Sequence, residues 1–391
     1  MSRRPSRRAP SNRGRLCPPG SAKRASTPDS RSARAARTPP NSGAAPMRML
    51  SIGAGPRRYS PRMRAVFFEA AHSMTLREVP PPEPGPGEVR LTVTYCGICG
   101  SDLSVYKTGA LAGPDVVLGH EISGVVEKDP EGRWEPGRRV VTFPARGCGG
   151  CLWCREGEPR YCIDPPHGSW GGFAERVVYP AVSLIPIPDE LDDREAAIAE
   201  PFGVALRAVE MAVPRPSDLA YVCGLGPIGL FCVAGLVAAG CRVVGADPRP
   251  ERRALGEDLG CEATFDPTVE DPFVTLLGFE PHGARVALEC SGVPEALQQT
   301  IDACGYRGVV GIVGVPMAPV LLLRMFVREH RAFSLSGPSR RTMERALDLL
   351  VERPQIAKVV SGSVPLEDTG GAFERLVAGE GGVKVLVSPA R

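Results

Sequence analysis

The chain has 391 residues, 43% apolar and 23% charged, the composition of an ordinary water-soluble globular protein with room for more than one core. Its net charge of +3 conceals an uneven spread. Residues 1–62 hold fourteen arginines and one lysine against a single acid, Asp29, a net of +14 that leaves −11 for the remainder (3 − 14), so a uniformly basic nucleic-acid-binding surface is excluded for the main body.

Segment 1–62 is rich in Arg, Ser, Pro and Ala and lacks apolar periodicity. Such a stretch cannot bury enough surface to offset the entropy of ordering, so it is expected to be disordered. It could serve as a basic arm for nucleic acid or lipid, or as an Arg-rich targeting peptide. The favoured expectation is that translation starts later, at Met47, Met49 or Met63, because "MRAVFFEA" from Met63 reads as the first strand of a domain. No signal-peptide core stands near the N-terminus.

From Met63 to Pro201 the pattern is β-rich, punctuated by Pro and Gly. Within it lies "CGGCLWCREGEPRYC", with Cys148, Cys151, Cys154 and Cys162 in the order Cys-x-x-Cys-x-x-Cys-x7-Cys. With 13 cysteines in 391 residues, that pattern has a chance expectation of about 5 in 10,000. Disulfides between cysteines three apart are strained, whereas four thiolates suit a closed tetrahedral zinc site. These four are expected to hold a structural zinc that stabilises a loop and, with every position filled by sulfur, catalyses nothing. Most other cysteines, such as Cys223, Cys232 and Cys290, stand singly in apolar runs, as reduced core thiols do.

The longest apolar run, Leu219 to Ala246, carries one charge, Arg242. It divides into a strand, a glycine-rich turn, a helix and a second strand, which disfavours a membrane span. The turn holds Gly224, Gly226 and Gly229 as Gly-x-Gly-x-x-Gly, and the second strand ends at Asp247, 18 residues after the last glycine. This is the context of a dinucleotide-binding turn, with Pro227 and Ile228 inside it. The helix start offers free N–H groups to a pyrophosphate. Asp247 is expected to accept from the adenosine ribose and to repel a 2′-phosphate, which favours NAD. Arg249, Arg252 and Arg253 could soften that repulsion, so NADP stays open. "ALECSG" and "VGIVGV", which ends at Gly314 and Val315, fit further strands of the same parallel sheet. "SRRTMERALDLLVERP" reads as a helix, followed by short strands.

Upstream stand "YCGICGSDL" and "LGHEISGVVE", then "AAIAEPFGVALRAVE" after the cysteine cluster. In this order the segments resemble the zinc-dependent medium-chain dehydrogenase/reductase family, closest to its sorbitol, threonine and 2,3-butanediol dehydrogenase branches, from about Met63 to the C-terminus. The resemblance implies an α/β architecture: a GroES-like β-barrel catalytic domain at 63–201, a Rossmann doubly wound parallel sheet at 202–338, and a return to the first domain at 339–391. It implies a second, catalytic zinc on Cys99, His120 and a carboxylate, with Glu121 and Glu200 both candidates and the choice open. Asp102 would orient the His120 ring, Ser101 would take the substrate proton, and Arg252, Gly314 and Val315 would border the cofactor.

The implied reaction moves hydride between a secondary alcohol or polyol and NAD. The implied protein is a cytoplasmic homo-oligomer, dimer or tetramer, with no membrane partner. The sequence departs from the family at Ser104, where many members carry a proton-relaying histidine, and at Arg139 in "PGRRVV", taken as a loop position where an Asp is usual. His167 is read as a loop residue, and Cys96 as a packed thiol. Tyr106, Trp170 and Phe202, with Ser101, are expected to shape the pocket. Two other readings share the motifs: a sugar or cyclitol dehydrogenase of secondary metabolism, and a non-catalytic zinc-stabilised nucleotide binder that uses the basic arm on nucleic acid.

Overall fold

The structure, a computed structural model, describes residues 62–110, 112–144, 147–148, 150–156, 158–164, 170–316 and 319–389. The expectations for the basic segment (Arg62 aside) and for His167 lie outside them.

The first strand is Met63–Ala70, the "MRAVFFEA" of the sequence. It turns through His72, at φ +59, into Ser73–Val79 and also pairs with Val116–Val117. The larger sheet is built on Glu88–Gly97, where Val89, Leu91 and Val93 alternate into the core. Its neighbours run outward as Glu121–Lys128, Arg139–Thr142 and Leu184–Pro186 on one side. On the other side lie Lys384–Ser388 and Val360–Pro365, while Arg176–Pro180 pairs the start of the central strand. Leu386 sits opposite Gly97, so the last strand of the chain closes onto the residues just before Cys99.

Six parallel strands make the second sheet: Leu219–Cys223, Arg242–Ala246, Ala263–Phe265, Ala284–Glu289, Cys304–Ile312 and Arg331–Ser334. Numbered in that chain order they lie 3-2-1-4-5-6, the doubly wound arrangement whose order reverses beside the first strand. Leu219–Cys223 is buried throughout its length, which explains its uninterrupted apolar sequence. Helix Pro227–Ala238 packs beside helix Ala199–Ala212, with Phe202 and Phe231 at 5.3 Å. Gly235 lets them approach, since a Cβ there would lie 3.0 Å from Leu206. Among the described residues no helix is long and apolar enough to cross a membrane.

Three expectations need correction. Arg139 is not in a loop: it opens strand Arg139–Thr142, and its guanidinium pairs with Asp193 at 2.7 Å. Tyr106 and Phe202 are core residues, 2% and 0% exposed. Tyr106 packs edge-on to His72 and Phe373. Trp170, partly buried, packs on the barrel core.

Candidate metal centre and cofactor turn

Cys99 caps the N-terminus of helix Gly100–Thr108, a helix that the weakly patterned "GSDLSVYKT" does not announce. Its start is fixed by Asp102, whose buried carboxylate accepts from the Cys99 N–H at 3.0 Å and the Gly119 N–H at 3.3 Å. The same carboxylate stands 3.6 Å from Nδ1 of His120. One acid therefore ties together the backbones of the two segments that carry the sulfur and the imidazole, and faces the ring as a metal-ligating histidine's outer partner does.

Ligand atoms of Cys99, His120 and Glu121 all lie within 4.8 Å of one another. Burial alone would depress the His120 imidazole, but Asp102 and then Cys99 outweigh it and hold it well above its ordinary value. A pocket that favours a proton there also favours a divalent cation. The donor set of sulfur, nitrogen and oxygen fits zinc with room for a further ligand, and Oε1 of Glu121 is buried without a hydrogen-bond partner. Glu200 sits in the first turn of Ala199–Ala212, 6% exposed. Burial pushes its carboxyl up to about 7, with Glu121 adding and His120 opposing. It belongs to the same electrostatic cluster but not to the 4.8 Å group. Ser101 is exposed two residues past Cys99. Cys96 is fully buried, and burial raises its thiol.

The sulfurs of Cys148, Cys151, Cys154 and Cys162 also lie within 4.8 Å of one another. The Cys148 N–H donates to Cys162 Sγ at 3.2 Å and the Cys151 N–H to Cys148 Sγ at 3.4 Å. Chiefly through the Cys154 N–H, the Cys151 thiol is lowered to about 6, and the Gly150 N–H lowers Cys148. A loop that stabilises thiolates in this way fits a structural zinc.

At the switch point of the parallel sheet, Gly224 has φ +90, and a Cβ there would lie 2.8 Å from Ser291. Gly226 caps the helix that Pro227 opens, with Ile228 partly buried behind it. A Cβ on Gly229 would overlap the Gly224 carbonyl oxygen. Gly229→Ala is therefore expected to cost on the order of 2 kcal/mol and to raise the cofactor KM at least about tenfold, read by thermal melts and initial rates.

Asp247, 3% exposed, accepts from the Leu225 N–H at 2.9 Å and the Arg249 N–H at 3.0 Å. Arg252 stands 3.5 Å from it. The guanidinium of Arg249 is held by the Gly379 carbonyl, and that of Arg253 by the carbonyls of Asp247 and Pro248. Gly314 and Val315 follow strand Cys304–Ile312 and meet the Ser291–Gly292 turn, whose N–H groups donate to the buried Glu289 carboxylate.

The sequence reading missed Lys384, buried beside Glu121. Its signal was a single charge inside the apolar strand "VKVLV".

A GroES-like barrel joined to a dinucleotide-binding sheet, with one open and one closed candidate metal cluster, defines the class of zinc-dependent oxidoreductases. Residues 85–189 match the family model "Alcohol dehydrogenase GroES-like domain", and residues 227–352 match "Zinc-binding dehydrogenase". The chain is 31% identical to the (R,R)-butanediol dehydrogenase of Bacillus subtilis over 347 residues, 84% of this chain and all of that protein. It is 30% identical to the sorbitol dehydrogenase of Halalkalibacterium halodurans over 328 residues, 80% of this chain and 95% of that one. The crystal structure of a zinc-binding dehydrogenase from Sinorhizobium meliloti bound to NADP superposes with a TM-score of 0.78 at 30% identity, covering 84% of this chain and 100% of that one. The chain belongs to the zinc-dependent medium-chain dehydrogenase family and is an NAD(P)-dependent oxidoreductase of the alcohol dehydrogenase class.

Proposed function

We propose that the protein oxidises a secondary alcohol, either a diol, a sugar alcohol or an amino alcohol, with NAD as the favoured acceptor, and that the reverse reduction uses the same groups. The observation that carries this reading is the convergence of Cys99, His120 and Glu121 on one point, beside Glu200 and two residues from an exposed Ser101. Cys99 and His120 hold the catalytic zinc, with Glu121 or Glu200 as the carboxylate. Zinc, when bound, supplies a positive charge that lowers the pKa of an alcohol. Ser101 Oγ accepts the alcohol's proton and passes it to water, the ribose hydroxyls or Glu200, since position 104 is serine rather than histidine. Asp102 keeps the His120 ring oriented. Cys148, Cys151, Cys154 and Cys162 hold the second zinc.

The Gly224–Gly229 turn offers N–H groups to the pyrophosphate. Asp247 takes the ribose hydroxyls, Arg252 lies alongside, and Gly314 and Val315 border the nicotinamide. Asp247→Ala should lower kcat/KM with NAD by about tenfold or more while leaving NADP less affected, measured with both cofactors.

The organisation we assign is a catalytic unit of 63–201 and 339–391 around a cofactor unit of 202–338, supported by the pairing of Lys384–Ser388 with Glu88–Gly97. A homo-oligomer is supported by the outer edge of Arg331–Ser334, which pairs with no further strand among the described residues, and, near it in sequence, Leu321 and Phe326, 75% and 84% exposed. A cytoplasmic setting is supported by the free state of every described cysteine. The reading is tested by NADH formation across diols, polyols and 3-hydroxy amino acids. Turnover of a secondary alcohol supports it, and no turnover of any alcohol by zinc-loaded protein refutes it.

A further inference from the structure

The four-cysteine loop holds a buried charge that neither metal cluster uses. Arg160 lies in the single turn Pro159–Tyr161, two residues before Cys162, and its side chain is 8% exposed. A guanidinium buried to that degree needs dedicated partners. Glu158 supplies one, accepting from Nε of Arg160 at 2.8 Å. The remaining donors leave the loop altogether. Nη1 of Arg160 donates to the Ser336 carbonyl at 3.1 Å and to the Gly337 carbonyl at 2.9 Å, 176 and 177 residues further along the chain.

Those two carbonyls belong to the rigid peptide units on either side of the Gly337 Cα. The angles that relate the two units are φ and ψ of Gly337, so one nitrogen that holds both oxygens fixes both angles. Gly337 has φ +70, and a Cβ there would meet nothing within 4 Å. Its missing side chain therefore serves backbone freedom rather than space. The chain passes between the catalytic and cofactor units twice, in helix Ala199–Ala212 and in residues 335–339, between strand Arg331–Ser334 and helix Arg340–Glu352. Arg207, on the first of these helices, donates to the same Gly337 carbonyl at 3.3 Å and stands 3.9 Å from Glu158. The loop thus grips both passages at once.

We infer that Arg160 is a positioning residue that holds a hinge at Gly337 in one conformation, so that the four-cysteine loop sets how firmly the two units close on the nicotinamide cofactor, an inference that rests on the division into catalytic and cofactor units. A hinge acts through a few residues that absorb the backbone change. Releasing Gly337 adds open conformations, and a cofactor that needs the closed one then binds more weakly in proportion to the closed fraction lost. The donors of Cys99, His120 and Glu121 take no part in this.

The test uses full-length, zinc-loaded protein. Arg160→Met is expected to bind NADH about tenfold more weakly by fluorescence titration, while kcat at saturating cofactor stays within about threefold of wild type and both zincs are retained. Hydrogen exchange of residues 335–339 should slow when NADH binds the wild type, and should be faster in the variant. A merely structural Arg160 would lower the melting temperature and leave NADH affinity per folded molecule unchanged, and that result would overturn the inference.

If Arg160→Met does not fold or loses the loop zinc, Gly337→Ala decides, because a side chain at φ +70 strains the same hinge without touching the loop. Binding of NADH about fivefold weaker is expected, and unchanged binding overturns the inference. If NADH does not slow exchange at 335–339 in the wild type, the division into two units fails and the role of Arg160 with it. If exchange slows there and both variants bind NADH as the wild type does, the role of Arg160 alone fails.

Discussion

Replacing Cys99 by alanine will lower turnover by about a thousandfold or more and leave roughly one equivalent of zinc per chain instead of two, with the fold intact. The sulfur lies at the N-cap of Gly100–Thr108, where it accepts from the Asp102 N–H while the Asp102 carboxylate accepts from the Cys99 N–H. Removing the thiol leaves the Asp102 carboxylate half of the cap in place while taking one of the donors that converge with His120. Without the metal, an alcohol near its solution pKa gives up neither proton nor hydride readily, and a loss of about 4 kcal/mol of charge stabilisation is about a thousandfold in rate. Steady-state kinetics with metal analysis and circular dichroism read all three outcomes.

Cys151→Ala will have the opposite profile. It should lower the apparent melting temperature by on the order of 10 °C while kcat per folded molecule, measured well below that temperature, stays within about threefold. Among the described residues, the loop from Cys148 to Cys162 contributes none to the open cluster, so a zinc held there would act on stability. Its reach goes beyond the loop itself. Arg160, held by Glu158, donates to the carbonyls of Ser336 and Gly337 at 3.1 and 2.9 Å. Arg207 also donates to Gly337. A collapsed loop would release that tie between the cysteine segment and the chain that leads into helix Arg340–Glu352. A variant that lost activity and metal at both sites together would contradict this division of labour.

Much of the molecule was legible in the sequence because its signals are local. "LAYVCGLGPIGLFCVAGLVAAGCRVVGAD" folds as strand Leu219–Cys223, helix Pro227–Ala238 and strand Arg242–Ala246, since buried parallel strands and a glycine turn leave a continuous imprint. The four sulfurs converge because their spacing permits little else. The helix Gly100–Thr108 was not legible, because its stability comes from a cap made by Asp102 and from packing rather than from an apolar stripe. Arg139 looked like a loop residue because its partner Asp193 is distant in sequence. Tyr106 and Phe202 looked like pocket residues because chain proximity to Cys99 and Glu200 says nothing of which way a ring faces. Lys384 was hidden for the same reason: Gly97 and Glu121 meet it only once the last strand pairs with the central one.

The most direct measurement is anomalous diffraction at the zinc edge from crystals of the zinc-loaded protein. Two peaks per chain are expected, one among Cys148, Cys151, Cys154 and Cys162, the other about 2.3 Å from the Cys99 sulfur and about 2.1 Å from a His120 nitrogen. A single peak confined to the four-cysteine loop, from protein that still oxidises an alcohol, would contradict a metal-assisted reaction at Cys99 and His120.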